Sequence, residues 1–124
     1  MSKYGNQTKK LDGIFFDSKK EARRYAELKM LLKVGAISDL ELQKPFELIP
    51  AQYEPVVRYG KNGKRLKDGK TCIEKSCVYK ADFVYFDREL NQLVVEDTKG
   101  MRTTDYIIKR KLMLYIYGIR IKEI

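Results

Sequence analysis

Apolar residues recur at two spacings along this chain, and the change of spacing marks its elements. Residues 78–86, Val78-Tyr79-Lys80-Ala81-Asp82-Phe83-Val84-Tyr85-Phe86, are rich in aromatic and β-branched side chains and predict a strand. Residues 93–99 open Leu93-Val94-Val95 and predict a second strand. The polar turn between them is short, so the two pair antiparallel. Residues 119–124 alternate and predict a final strand. Between 37 and 59, Leu40, Leu42, Phe46, Leu48 and Ile49 stand among polar residues. They predict extended chain interrupted by Pro45 and Pro50.

Helical spacing occurs twice. Ala22, Tyr25, Leu28 or Lys29, and Leu32 predict a buried stripe on a helix running to about residue 33. Ser18 is its N-cap, Glu21 completes a capping box, and Gly35 stops it. A second helix, 105 to about 117, is capped by Thr103 or Thr104 and stopped by Gly118. Ile107, Ile108, Leu112, Tyr115 and Ile116 are its expected buried side, with Lys109, Arg110 and Lys111 clustered mid-helix. Ahead of the first helix, Asp12-Gly13 between apolar residues predicts a hairpin. A helix joining strand 93–99 to strand 119–124 is a crossover, which makes those two strands parallel. The expected fold class is α/β: one mixed α+β sheet with helices packed on it.

Charge sharpens this outline. The chain has 124 residues, with 26 Lys and Arg against 17 Asp and Glu, a net charge of +9. That length suits a single domain over 1–124, and that charge favours a polyanionic partner, nucleic acid foremost. Residues 1–10 are polar and basic and are expected to form a flexible tail. The polar start and the lack of a long apolar run predict a cytoplasmic protein with no membrane partner. Residues 58–70 are the most basic stretch, with Asn62-Gly63 as a two-residue hairpin signal. The expectation is a projecting loop in which Lys61, Lys64, Arg65 and Lys67 meet phosphates, joined by Lys109 and Arg110 from the second helix. The alternative is a solvated hairpin tip. Cys72 and Cys77 are too few for a disulfide framework and read as small apolar strand residues. There is no His, which removes Ser-His and Cys-His chemistry.

What remains is carboxylate chemistry. An acid two residues before a Lys occurs at Asp17/Lys19, Glu27/Lys29, Asp68/Lys70 and Asp97/Lys99. Only the last follows an apolar run that reads as a buried strand. Asp82 sits amid residues that favour burial, where an acid is costly unless paired, hydrogen-bonded or on a metal. Antiparallel pairing allows Asp82 and Asp97 to lie close on one face, in a register that the sequence does not fix. Two such carboxylates form a hard oxygen site suited to Mg²⁺, with Mn²⁺ substituting. Lys99 would point at the same place, and the Thr98 carbonyl could add an oxygen. Glu21 is either a helix cap or a third carboxylate beside the metal. Gln43 is either a core amide or a group reaching the site. An ion-pair network at a strand end is the competing reading of Asp97 and Lys99. A slip of one residue would put Glu96 on the active face in place of Asp97 and break the acid-x-Lys pairing, so Asp97 is preferred.

These residues resemble the PD-(D/E)XK nuclease superfamily. Its restriction-endonuclease-like αβββαβ core carries an acid on the second strand, D/E-x-K on the next, and often an acid from the first helix. Asp82, Asp97-Thr98-Lys99 and Glu21 match in order, although Ala81-Asp82 replaces the usual Pro-Asp. The stretches 16–22, 79–83 and 95–100 are together similar to small phage and prophage endonucleases related to Holliday junction resolvases. The resemblance implies metal-dependent hydrolysis of DNA phosphodiesters, with double-stranded or branched DNA as partner. It also implies a homodimer placing two sites on two strands. The alternative is a non-catalytic nucleic-acid-binding domain on the same fold.

Overall fold

The computed structural model describes residues 9–98 and 101–124. In chain order the strands and helices are β1 (Lys9–Leu11), β2 (Ile14–Phe16), α1 (Lys19–Lys33), β3 (Ile37–Ile49), β4 (Gln52–Val56), β5 (Gly69–Glu74), β6 (Cys77–Asp87), β7 (Gln92–Asp97), α2 (Thr104–Tyr117) and β8 (Lys122–Glu123). The protein is of the mixed α/β class. Setting aside the hairpins β1–β2 and β4–β5, the order is α-β-β-β-α-β. The tail expected over 1–10 lies outside the described residues as far as residue 8; Lys9 and Lys10 belong to β1.

Local chemistry accounts for most boundaries. Asp12 (φ 53°) and Gly13 (φ 78°) are both left-handed, as a two-residue type I′ hairpin turn requires. The Ser18 hydroxyl accepts the Glu21 N–H at 3.1 Å and caps α1. Thr103 caps α2, and Gly118 (φ 68°) ends it in the left-handed conformation. The Asp87 carboxylate accepts the N–H groups of Glu89 and Leu90, closing the β6–β7 turn.

The main sheet runs β3-β6-β7-β8, antiparallel except for the parallel pair β7–β8. Pro45 does not interrupt β3. That strand lies at the sheet edge, where a missing N–H is tolerated, and the ladder to β6 continues through Pro45 opposite Lys80. Helix α1 covers one face with Ala22, Tyr25 and Leu28, packed with Phe16, Ile37, Phe83 and Tyr85. Helix α2 covers the other with Tyr106 and Met113, packed with Leu48, Tyr79, Ala81, Val84, Val95 and Ile121.

Side chains do not alternate evenly through this sheet. On β6, Tyr79 and Ala81 join the α2 core, yet Phe83 and Tyr85, of the same parity, join the α1 core. The face changes at Asp82. On β3, Leu40 and Leu42 pack toward α1 while Phe46 packs toward α2, so the face changes at Gln43, whose φ is 52°. Gln43 and Asp82 are thus neighbours across one local twist, and both are missing from an otherwise continuous ladder between Leu42↔Phe83 and Lys44↔Ala81.

Two expectations need correction. The α2 stripe is rotated: Tyr106 and Met113 are buried, Ile107 and Leu112 are half-buried, and Ile108, Tyr115 and Ile116 are exposed. The turn in 58–70 is a three-residue loop, Lys61–Asn62–Gly63. The Gly63 N–H bonds the Gly60 carbonyl, and Gly63 (φ 77°) takes the left-handed position. Among the described residues the strands carrying this loop, β4 and β5, pair only with each other, and they are almost wholly exposed.

Candidate functional site

The face change at Gln43 and Asp82 gathers polar groups from four elements. Helix α1 contributes Glu21, in its first turn. The capping box is only half made: Ser18 receives the Glu21 N–H, but the Glu21 carboxylate turns away to accept from Gln43 Nε2 at 3.0 Å. The same Gln43 nitrogen donates to Asp82 Oδ1 at 3.3 Å. Asp82 Oδ2 accepts both the N–H and the hydroxyl of Thr98, each at 2.8 Å. Asp97 Oδ2 accepts the buried Tyr79 hydroxyl at 2.6 Å.

The electrostatics bear the marks of crowding. Glu21 is 6% exposed, and its pKa is pushed up to about 7. Desolvation is the leading cause, followed by the negative charges of Asp82, Asp17 and Asp97, partly offset by the Gln43 hydrogen bond. Among the described residues neither Glu21 nor Asp82 has a cationic partner. Burial and the Asp97 hydrogen bond hold the Tyr79 phenol far above its usual range, so it remains a proton donor to that carboxylate. A cleft of about 270 Å³ opens beside Glu21 and Gln43, with Phe15, Phe16, Asp17 and Leu42 in its wall. A larger apolar hollow of about 480 Å³ lies between Leu11 and the α1 residues Tyr25 and Met30, but none of the candidate residues lines it.

The register separates Glu96 from Asp97. Glu96 stands opposite Phe83, on the α1 face, fully buried. There Arg24 grips it with two bonds of 2.7 Å, Nε to Oε1 and Nη2 to Oε2, and the Tyr85 hydroxyl donates to Oε2. Glu96 is therefore spent on tying α1 to β7, and Asp97 takes the other face. Arg24, Tyr79 and Tyr85 carry no distinguishing pattern in the sequence. Arg24 lies three residues after Glu21, which places both on one side of α1.

The other candidates are dispersed. Lys61, Lys64, Arg65 and Lys67 are exposed on the β4–β5 arm, and Arg65 bonds Asp68 at 3.1 Å. Lys109 is half-buried on α2, and Arg110 pairs with Glu123 at 3.4 Å. Lys99 lies outside the described residues. Cys72 and Cys77 are free thiols on strands.

The family model described as "Protein of unknown function (DUF1064)" matches residues 1–122, and the chain belongs to that family. No curated protein and no solved structure matches it. Among the described residues no helix is long and apolar enough to cross a membrane.

Proposed function

We propose that this protein is a divalent-cation-dependent DNA endonuclease of the PD-(D/E)XK kind, acting on branched or double-stranded DNA as a homodimer. The observation that carries the reading is the gathering of Glu21, Gln43, Asp82, Thr98 and Asp97 around one irregularity in the sheet. A purely structural cluster would be expected to pair Glu21 and Asp82 with cations, as Glu96 is paired with Arg24.

The donor set suits Mg²⁺ or Mn²⁺. It would consist of hard carboxylate oxygens from Glu21, Asp82 and Asp97, with the Thr98 carbonyl as a further oxygen. Among the described residues no three Asp, Glu or Cys side chains already stand close enough together to hold a metal ion, so the carboxylates would have to converge as the ion binds. The Gln43 amide lies between Glu21 and Asp82, donating a partial positive charge to both, as a cation would. When bound, the ion supplies Lewis-acid polarisation of the phosphodiester. The chain's own groups do the rest. Asp82 and Asp97 hold the scissile phosphate's counter-charge in place, and Tyr79 fixes the Asp97 carboxylate. Burial and the charges of Asp82, Asp17 and Asp97 raise the Glu21 pKa in the metal-free chain, and a shared cation would relieve that crowding. The water oxygen joins phosphorus, the bond to one deoxyribose oxygen breaks, and that oxygen is protonated. Lys99 would orient or deprotonate the attacking water, or offset the charge building on the phosphorus oxygens.

The test is incubation of supercoiled plasmid and a synthetic four-way junction with purified protein, with and without Mg²⁺ or Mn²⁺, alongside Asp97→Ala. Metal-dependent cleavage lost in the variant is expected. DNA binding with no cleavage under any metal would leave a non-catalytic binding domain. Equal cleavage by the variant would remove Asp97 from the site.

A further inference from the structure

The hairpin β1–β2 presents one aromatic ring to solvent beside the acidic cluster. Phe15 is 72% exposed, while its neighbour Phe16 is buried in the α1 core and anchors the strand. Phe15 lies opposite Lys10 in the hairpin register, and the Lys10 ammonium stands over one face of the ring, 5.2 Å from its centroid, which leaves the other face for a base. The same ring lines the cleft that holds Glu21 and Gln43. Exposed apolar side chains are common, and Tyr115 and Val34 are at least as exposed; what sets Phe15 apart is its place in the wall of the cleft beside Glu21.

We propose that Phe15 is a stacking platform for one unpaired nucleobase next to the scissile phosphate. The substrate is then DNA with a single-stranded segment at the cut site. This inference rests on the nuclease reading above. Three features support it. A flat ring with an adjacent ammonium is the combination that binds single strands, the ring taking a base and the cation a phosphate. The cleft, at about 270 Å³, lies just under the roughly 300–1,000 Å³ of pockets that take drug-sized ligands, which suits one base better than a larger group. Its walls offer apolar contact from Ile14 and Leu42 and an amide from Gln43. A base inside a duplex is already stacked on both faces and would have to be extruded to reach Phe15, at a cost of a few kcal/mol for a paired base. Fully paired DNA is therefore the poorer ligand at this position.

The chain contains no Trp, so Phe15→Trp installs a single fluorophore on the platform. The variant is titrated, with chelator present to prevent cleavage, with a single-stranded oligonucleotide and with the blunt duplex of the same sequence. Anisotropy of a label on the DNA follows binding separately. Quenching of the Trp emission by the single strand, at least twice that caused by the duplex at equal saturation, is the expected result. Saturating binding of the single strand with unchanged emission would overturn the proposal, and so would equal quenching by both DNAs. In the otherwise native chain, Phe15→Ala should weaken single-strand binding by on the order of tenfold and leave duplex binding within about twofold. Equal effects on both would also overturn it. If quenching is selective but no metal supports cleavage, the nuclease reading fails while the platform stands.

Discussion

Replacing Glu21 with glutamine removes the charge that the fold strains most to hold. The carboxyl's pKa rises on folding from 4.5 to about 7, chiefly by burial and then by the charges of Asp82, Asp17 and Asp97. For an acid whose folded pKa is raised, the native state is least penalised below the unfolded value. Stability is then lost as pH rises from about 4.5 toward about 7, and the loss is constant above that. The full difference corresponds to about 3 kcal/mol; Gln43 contact and access to water in the cleft bring the expected gain to about 1–3 kcal/mol. Glutamine keeps an acceptor for Gln43 at the same place and carries no charge. For a chain of this length a gain of that size raises Tm by about 4–12 °C. The assay is thermal unfolding of the wild type and Glu21→Gln in chelator across about pH 4 to 9. The two curves should coincide at the acid end and separate between about pH 4.5 and 7, with the variant more stable above. A variant that is less stable at alkaline pH, or a difference that does not change with pH, would refute the reasoning. Saturating Mg²⁺ should narrow the gap by stabilising the wild type selectively.

Arg24→Ala strands the fully buried Glu96 charge and should cost about 3–5 kcal/mol in urea unfolding; adding Glu96→Gln should restore much of it, and a loss under about 1 kcal/mol would deny the clamp. Tyr79→Phe deletes a 2.6 Å bond to a buried carboxylate and should cost about 1.5–3 kcal/mol, measured in the same way. Replacing Lys61, Lys64 and Lys67 with Ala should weaken DNA binding and reduce the slope of log K against log salt by about 2–3, whereas an unchanged slope would remove the β4–β5 arm from the interface.

What could be read in advance was what short-range chemistry dictates. Asp12-Gly13 announced its hairpin, Ser18 and Gly35 bounded α1, and Gly118 closed α2, because each requirement is local. The antiparallel β6–β7 pair and the parallel β8 followed from connection lengths. The face change on β3 was hidden because it uses Gln43 at positive φ, a position where no glycine marks the chain. Leu42 and Phe46 have the same parity and therefore looked like one face, yet they serve two cores. The α2 stripe went astray because its residues 106–108 and 112–117 are largely apolar, so periodicity does not choose a side. Asp82, Asp97 and Glu21 were legible as acids in apolar settings. The bridge from Glu21 to Asp82 was not fixed, since it depends on Gln43, 22 positions from the one and 39 from the other, for which a core amide was an alternative reading. The Arg24–Glu96 clamp spans 72 positions and has no local signature.

Under the proposed function, Glu21, Asp82 and Asp97 would share one divalent cation. Crystals soaked in Mn²⁺ and measured for anomalous scattering test it most directly. A peak within coordination distance of carboxylate oxygens from at least Asp82 and Asp97, with Gln43 displaced from between Glu21 and Asp82, is the predicted result. Saturating Mn²⁺ with no peak there, and the Gln43 amide still bridging the two acids, would contradict it.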